Sequence, residues 1–213
     1  MAKPVDLVFS GGGTLAICEA GAYSVLSSRY DVKGVGGTSA GSIIAAAHGA
    51  GMKPGEIAGV FKAVFGSGED LLDRSWWPFD RFGVYNGDRI HRHLKRYFPM
   101  KMKDTYGDIR IVTCDLWTRQ PVVVSAKSHP EVFLHDAVRC SIAIPVFFKA
   151  HRLEANNARL YVDGGVSINF AHSVFDDTTD TTIGVNLASD VGEPKPVRDL
   201  PAYARALTTL LMY

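Results

Sequence analysis

Short apolar runs alternate with stretches of helical periodicity along most of this chain. Val5-Asp6-Leu7-Val8-Phe9 reads as a buried strand, Leu15 to Leu26 as a helix, Val32 to Gly36 as a second strand, and the residues from Ser39 as a second helix. A third helix is predicted near Pro54 to Phe65, with Pro54 in its first turn. Ile109 to Cys114 and Pro121 to Ser125 read as two strands connected around Trp117-Thr118-Arg119-Gln120, followed by a helix over Pro130 to Cys140. Thr181 to Leu187 reads as a late strand and Val197 to Met212 as a closing helix. Between them, Ile90, Leu94 and Tyr97 or Phe98 form one helical stripe with a basic opposite face, which suits either plain solvation or anionic lipid heads. Strands and helices in this alternation predict an α/β chain with a mostly parallel central sheet.

Three segments between these elements carry chemistry. Gly37-Thr38-Ser39-Ala40-Gly41 joins a strand to the apolar helix Ser42-Ile43-Ile44-Ala45-Ala46-Ala47, with small residues on each side of the serine. This G-x-S-x-G turn lifts a serine hydroxyl clear of its neighbours and sets helix N–H groups beside it, although a serine there can equally act as a helix cap. Ser10-Gly11-Gly12-Gly13-Thr14 follows the first strand and leaves backbone N–H groups bare. Such a loop either cradles a phosphate, with Asp31 as the acidic partner of a dinucleotide fingerprint, or stabilises an oxyanion. Leu160-Tyr161-Val162-Asp163-Gly164-Gly165 ends a strand on an acid, which is either a turn or a base placed to accept a serine proton.

Taken with Cys140-Ser141-Ile142-Ala143-Ile144-Pro145-Val146-Phe147, these motifs occur in an order that resembles the patatin-like phospholipase family, over about Val5 to Asn186. The resemblance implies a three-layer α/β/α fold and a metal-free, cofactor-free Ser-Asp dyad acting on acyl-ester lipids. It implies Ser39 as nucleophile and Asp163 as base, with oxyanion donors from Gly11, Gly12, Gly13 and Ala40. Gly37, Gly41, Gly164 and Gly165 would shape the turns. Leu15 and Ala16 stand where the family usually has a basic residue and glycine, and Ala171 where it often has proline. The expected activity is that of a serine lipid acyl hydrolase, phospholipase A-like. An acyltransferase, or a weak or inactive relative that binds lipid or a partner, is the alternative.

Composition adjusts this picture only slightly. The 213 residues suit one domain, 1–213, although the apolar end Leu210-Leu211-Met212-Tyr213 reads as a cut within a longer protein. A net charge of +1 gives no global field to recruit nucleic acid. Cys18, Cys114 and Cys140 cannot all pair and have apolar neighbours, so buried thiols are expected. With no signal-peptide core or membrane-length run, the expected location is cytoplasmic, with peripheral membrane contact. Gly66 to Gly87, with Trp76-Trp77-Pro78-Phe79, reads as a mobile cap over a lipid groove or as aromatics packed under a loop. The two histidines of His91-Arg92-His93 fall on different helix faces and should not share a metal. His135 is read as an orienting or a satisfied side chain, and room is left for a protein activator.

Overall fold

Five of the six residues of β1 (Pro4–Phe9) are buried, as a strand covered on both faces requires. β1 accordingly lies inside the sheet, parallel to β2 (Asp31–Thr38) on one side and β8 (Thr181–Val185) on the other. β2 pairs in parallel with β4 (Asp108–Asp115), which carries two antiparallel partners, β5 (Gln120–Ser125) and β7 (Tyr161–Asp163). The six strands follow the order β5-β4-β2-β1-β8, with β7 also on β4. This is a mixed α/β fold whose central sheet is mostly parallel and flanked by helices. The structure is a computed structural model that describes residues 2–65, 73, 83–154 and 158–187.

The helices follow from their apolar spacing. α1 (Ile17–Arg29) packs on α3 (Pro54–Phe65), whose Ile57, Val60, Phe61 and Val64 form one buried stripe. α2 (Gly41–Gly49) is buried on every residue and lies on β2 and β4, which is why it is built from alanine, isoleucine and glycine. On the other face of β2, Gly34 and Gly36 leave room for Phe175, carried by a short 3-10 turn at His172–Phe175. α4 (Asp88–Tyr97) buries Ile90 and Leu94 against α5 (Leu134–Ser141). The Asp73 carboxylate accepts from the N–H groups of Gly87, Asp88 and Arg89, capping α4 from outside the helix.

Several boundaries differ from the sequence expectations. The first helix is preceded by a 3-10 turn at Gly13–Ala16, because Gly13 holds a left-handed φ of 55°. The second helix starts at Gly41 instead of Ser39, whose own φ is positive. Pro130 to Val132 forms a turn whose Pro130 and Val132 carbonyls accept from Lys103 and Met102, and Phe133 bridges to Lys101, so α5 begins only at Leu134. Gly83–Tyr85 is a strand, β3, parallel to β6 (Val146–Phe148), where a loop was expected. Buried Arg139 ties the two together by donating to the carbonyls of Asn86, Gly87 and Lys149. Cys18 is exposed, since it lies off the Ala16–Ala20–Tyr23 stripe of α1; Cys114 and Cys140 are buried free thiols. The Trp76-Trp77 segment and the expected closing helix lie outside the described residues.

Candidate active site

Strand register brings the three motifs together. Phe9 pairs with Gly37, Thr38 with Val112, and Thr113 with Asp163. The glycine loop, the serine turn and the aspartate therefore leave neighbouring strands at one edge of the sheet, where ligand sites of open α/β sheets form. Asp31 pairs with Pro4 at the opposite edge, far from Gly11, so the dinucleotide arrangement does not form.

Ser39 holds a φ of 50°, a left-handed conformation that a serine adopts only when its surroundings enforce it. The enforcement is steric. A Cβ on Gly37 would lie 2.3 Å from the Gly41 carbonyl oxygen, and one on Gly41 would lie 2.5 Å from the Ser10 carbonyl oxygen. The turn is also anchored from below. The Ser39 N–H donates to Ser141 Oγ at 2.9 Å, and Ser141 Oγ donates to the Val112 carbonyl at 2.6 Å. Ser141, at the end of α5, thus links the serine turn to β4.

Ser39 Oγ donates to Asp163 Oδ2 at 2.6 Å, and Asp163 Oδ1 accepts the Gly165 N–H at 2.8 Å. Asp163 is fully buried and Ser39 is 2% exposed. Burial pushes the Asp163 carboxyl up to about 7, against the opposing pull of its two hydrogen bonds. Gly164 follows because a Cβ there would lie 2.4 Å from the Val112 carbonyl oxygen. Among the described residues no histidine contacts this pair: His135 is buried against the Phe98 carbonyl, and His91 faces Asp136 instead of His93.

The glycine loop is held at both ends. Buried Glu19 accepts from the Ser10 N–H and hydroxyl, while Ser10 Oγ accepts the Leu187 N–H. Burial raises the Glu19 carboxyl to about 7, so near neutrality it is often protonated. The Gly11 N–H donates to the Asn169 carbonyl at 3.0 Å, so Gly11 contributes closeness to Ser39 and no free donor. The N–H groups of Gly12, Gly13 and Ala40 have no acceptor among the described residues. Glu19 and Ser141 were given no role from sequence. Glu19 could have been noticed as a charge on the apolar Ala16–Ala20–Tyr23 stripe, and Ser141 as a polar residue inside a recurring motif.

Comparisons with known proteins bear on the family and the fold. The family model described as patatin-like phospholipase matches residues 7–176. The protein YqhO of Bacillus subtilis is 35% identical over 209 residues, covering 86% of this chain and 71% of its own length. An NTE family protein of Mycobacterium tuberculosis is 28% identical over 180 residues, covering 84% of this chain but 29% of that relative. Among solved structures, VipD from Legionella pneumophila superposes with a TM-score of 0.59 at 16% identity, over 87% of this chain and 49% of that one. That last likeness concerns the fold alone. On the family match and the close YqhO relationship, the chain belongs to the patatin-like phospholipase family.

Proposed function

We propose that the protein is a serine lipid acyl hydrolase of phospholipase A type, with Ser39 as nucleophile and Asp163 as its base. The observation that carries the reading is the 2.6 Å bond from Ser39 Oγ to a fully buried carboxylate, on a turn whose φ is positive. A serine hydroxyl is a weak nucleophile until a neighbouring base takes its proton. A carboxyl near 7 is far better suited to that task than one near 3.8, and burial supplies the difference.

In the proposed reaction Ser39 Oγ bonds to the ester carbonyl carbon while its proton passes to Asp163 Oδ2. The carbonyl oxygen becomes an oxyanion facing the N–H groups of Gly12, Gly13 and Ala40. Collapse breaks the bond to the leaving alcohol, which takes the proton from Asp163. Water then attacks the acyl-serine, gives its proton to Asp163, and releases the fatty acid as the proton returns to Ser39. One oxyanion donor is worth on the order of 3 kcal/mol in such a barrier.

A lipid substrate is supported by the surroundings. A cavity of about 630 Å³ beside the aspartate strand is lined by Leu116, Pro145, Val162 and Val166. Leu116, Trp117, Val146, Phe147 and Ile168, at or next to this lining, are exposed apolar side chains suited to contact with a lipid surface. No helix among the described residues is long and apolar enough to cross a membrane. Leu15, 60% exposed in place of the family's usual cation, favours a slower hydrolase or a lipid-binding relative as the second reading. Intact-mass labelling with a fluorophosphonate decides between them. One adduct on the wild type, lost in Ser39→Ala, is expected; folded wild type without an adduct would refute hydrolysis by Ser39.

A further inference from the structure

Away from the Ser39–Asp163 pair, three imidazoles from separate parts of the fold converge on one carboxylate. His91 comes from α4, His135 and Asp136 from α5, and His151 from the stretch before β7, where it bridges to Tyr161. His91 Nε2 lies 2.8 Å from Asp136 Oδ1, and His151 Nε2 lies 3.2 Å from the same oxygen. His135 Nε2 lies 3.7 Å from the other oxygen. Ligand atoms of His91, His135 and Asp136 all fall within 4.8 Å of one another.

The His135 ring is already set for coordination. Its Nδ1 is 2.9 Å from the Phe98 carbonyl, which can only accept, so Nδ1 carries the proton and Nε2 presents a lone pair. A backbone carbonyl behind the ring is the usual outer-shell device that orients a metal-binding histidine. The rings are also crowded, with centroids 4.7 Å apart for His91–His151 and 5.3 Å for His91–His135. A single imidazole would satisfy Asp136 as a structural partner; here two share its Oδ1 and a third lies beside its Oδ2. His91, Asp136 and His151 line an open cavity of about 360 Å³, which gives an ion a way in.

We propose that His91, His135 and Asp136, with His151 as fourth ligand, bind one divalent transition-metal ion of the zinc type. Imidazole and carboxylate donors suit that class, and four of them complete a closed, structural coordination sphere. Bonds of about 2.1 Å in a tetrahedron put ligand atoms about 3.4 Å apart, so the side chains draw in on binding. The ion would fasten α4, α5 and the Tyr161 bridge to one another. α5 runs on to Ser141 beneath the serine turn, and Tyr161 stands two residues before Asp163, so the clamp braces both halves of the proposed dyad.

The test is Zn²⁺ titration of the full 213-residue chain by calorimetry, with Co²⁺ substitution read by visible absorption. One ion per chain and ligand-field bands with Co²⁺ are expected. His91→Ala and Asp136→Asn should each weaken Zn²⁺ at least about tenfold, while His93→Ala leaves it unchanged. Zn²⁺ should raise the Tm of wild type but not of Asp136→Asn, whose fold is checked by circular dichroism. His151→Gln, expected to weaken Zn²⁺ as well, is the second variant should Asp136→Asn fail to fold. Folded wild type that binds no stoichiometric Zn²⁺, or binding untouched by the ligand substitutions, would overturn the proposal.

Discussion

Replacing Asp163 by asparagine should abolish turnover and yet stabilise the protein at alkaline pH. The carboxyl is fully buried and is raised from 3.8 to about 7, chiefly because burial disfavours its charged form. A carboxyl whose pKa is raised by folding contributes stability that is present below the unfolded pKa and lost as pH climbs through the folded one. Across the whole window the loss amounts to about 4 kcal/mol, at 1.36 kcal/mol per decade. Between about pH 5 and pH 8 it is roughly 2–3 kcal/mol, because part of the change occurs at lower pH. Asparagine keeps an oxygen for the Gly165 N–H and an amide for Ser39 Oγ, so the packing survives while the titration disappears. Urea unfolding of both proteins across this range measures the difference directly. Glu19 titrates in the same sense but is present in both proteins, so its share cancels. The stability gap between variant and wild type should widen by about 2–3 kcal/mol from the acidic to the alkaline end. Parallel curves would mean that Asp163 is not the buried, proton-hungry group described above.

Ester hydrolysis by wild type should rise with pH and level off above about 7, since only the carboxylate can take the Ser39 proton; a rate falling through that range would contradict the assignment. Ser141→Ala leaves the Ser39 N–H and the Val112 carbonyl without their partner, so a loss of about 1–3 kcal/mol in stability and a lower fluorophosphonate labelling rate are expected; labelling as fast as wild type would show that the strut is dispensable. Gly41→Ala forces a methyl to 2.5 Å from the Ser10 carbonyl oxygen, and a loss of at least about 1–3 kcal/mol should appear in thermal unfolding. Asp73→Ala removes the cap of α4 and should cost about 1 kcal/mol, with no change in the reactivity of Ser39.

Local rules reached the regular elements because those elements obey local physics. The Ile57, Val60, Phe61, Val64 stripe fixes α3 from periodicity alone, and the apolar run before Ser10 fixes β1. The serine turn was legible because only small residues tolerate its crowding. What the sequence hid depends on distant partners. Nothing near Ser141 shows that its hydroxyl sits under a turn 102 residues earlier. Nothing around Arg139 shows that its side chain is 2% exposed and holds three carbonyls from two other segments. Likewise, His91 and His151 come together beside Asp136 across 60 residues of chain that include α5.

The engagement of the Ser39 N–H with Ser141 has a stereochemical corollary. In many serine hydrolases the amide of the nucleophile itself helps hold the oxyanion, but here that amide points at a hydroxyl beneath the turn. In the proposed reaction, polarisation of an attacked carbonyl is then left to the N–H groups of Gly12, Gly13 and Ala40 on one side, while Asp163 occupies the other. An ester can present only one of its two prochiral faces to such a site. If the proposed hydrolysis holds, the protein should accordingly discriminate between the mirror-image forms of a phosphonate ester chiral at phosphorus, a handedness to which a buried serine beneath the turn contributes.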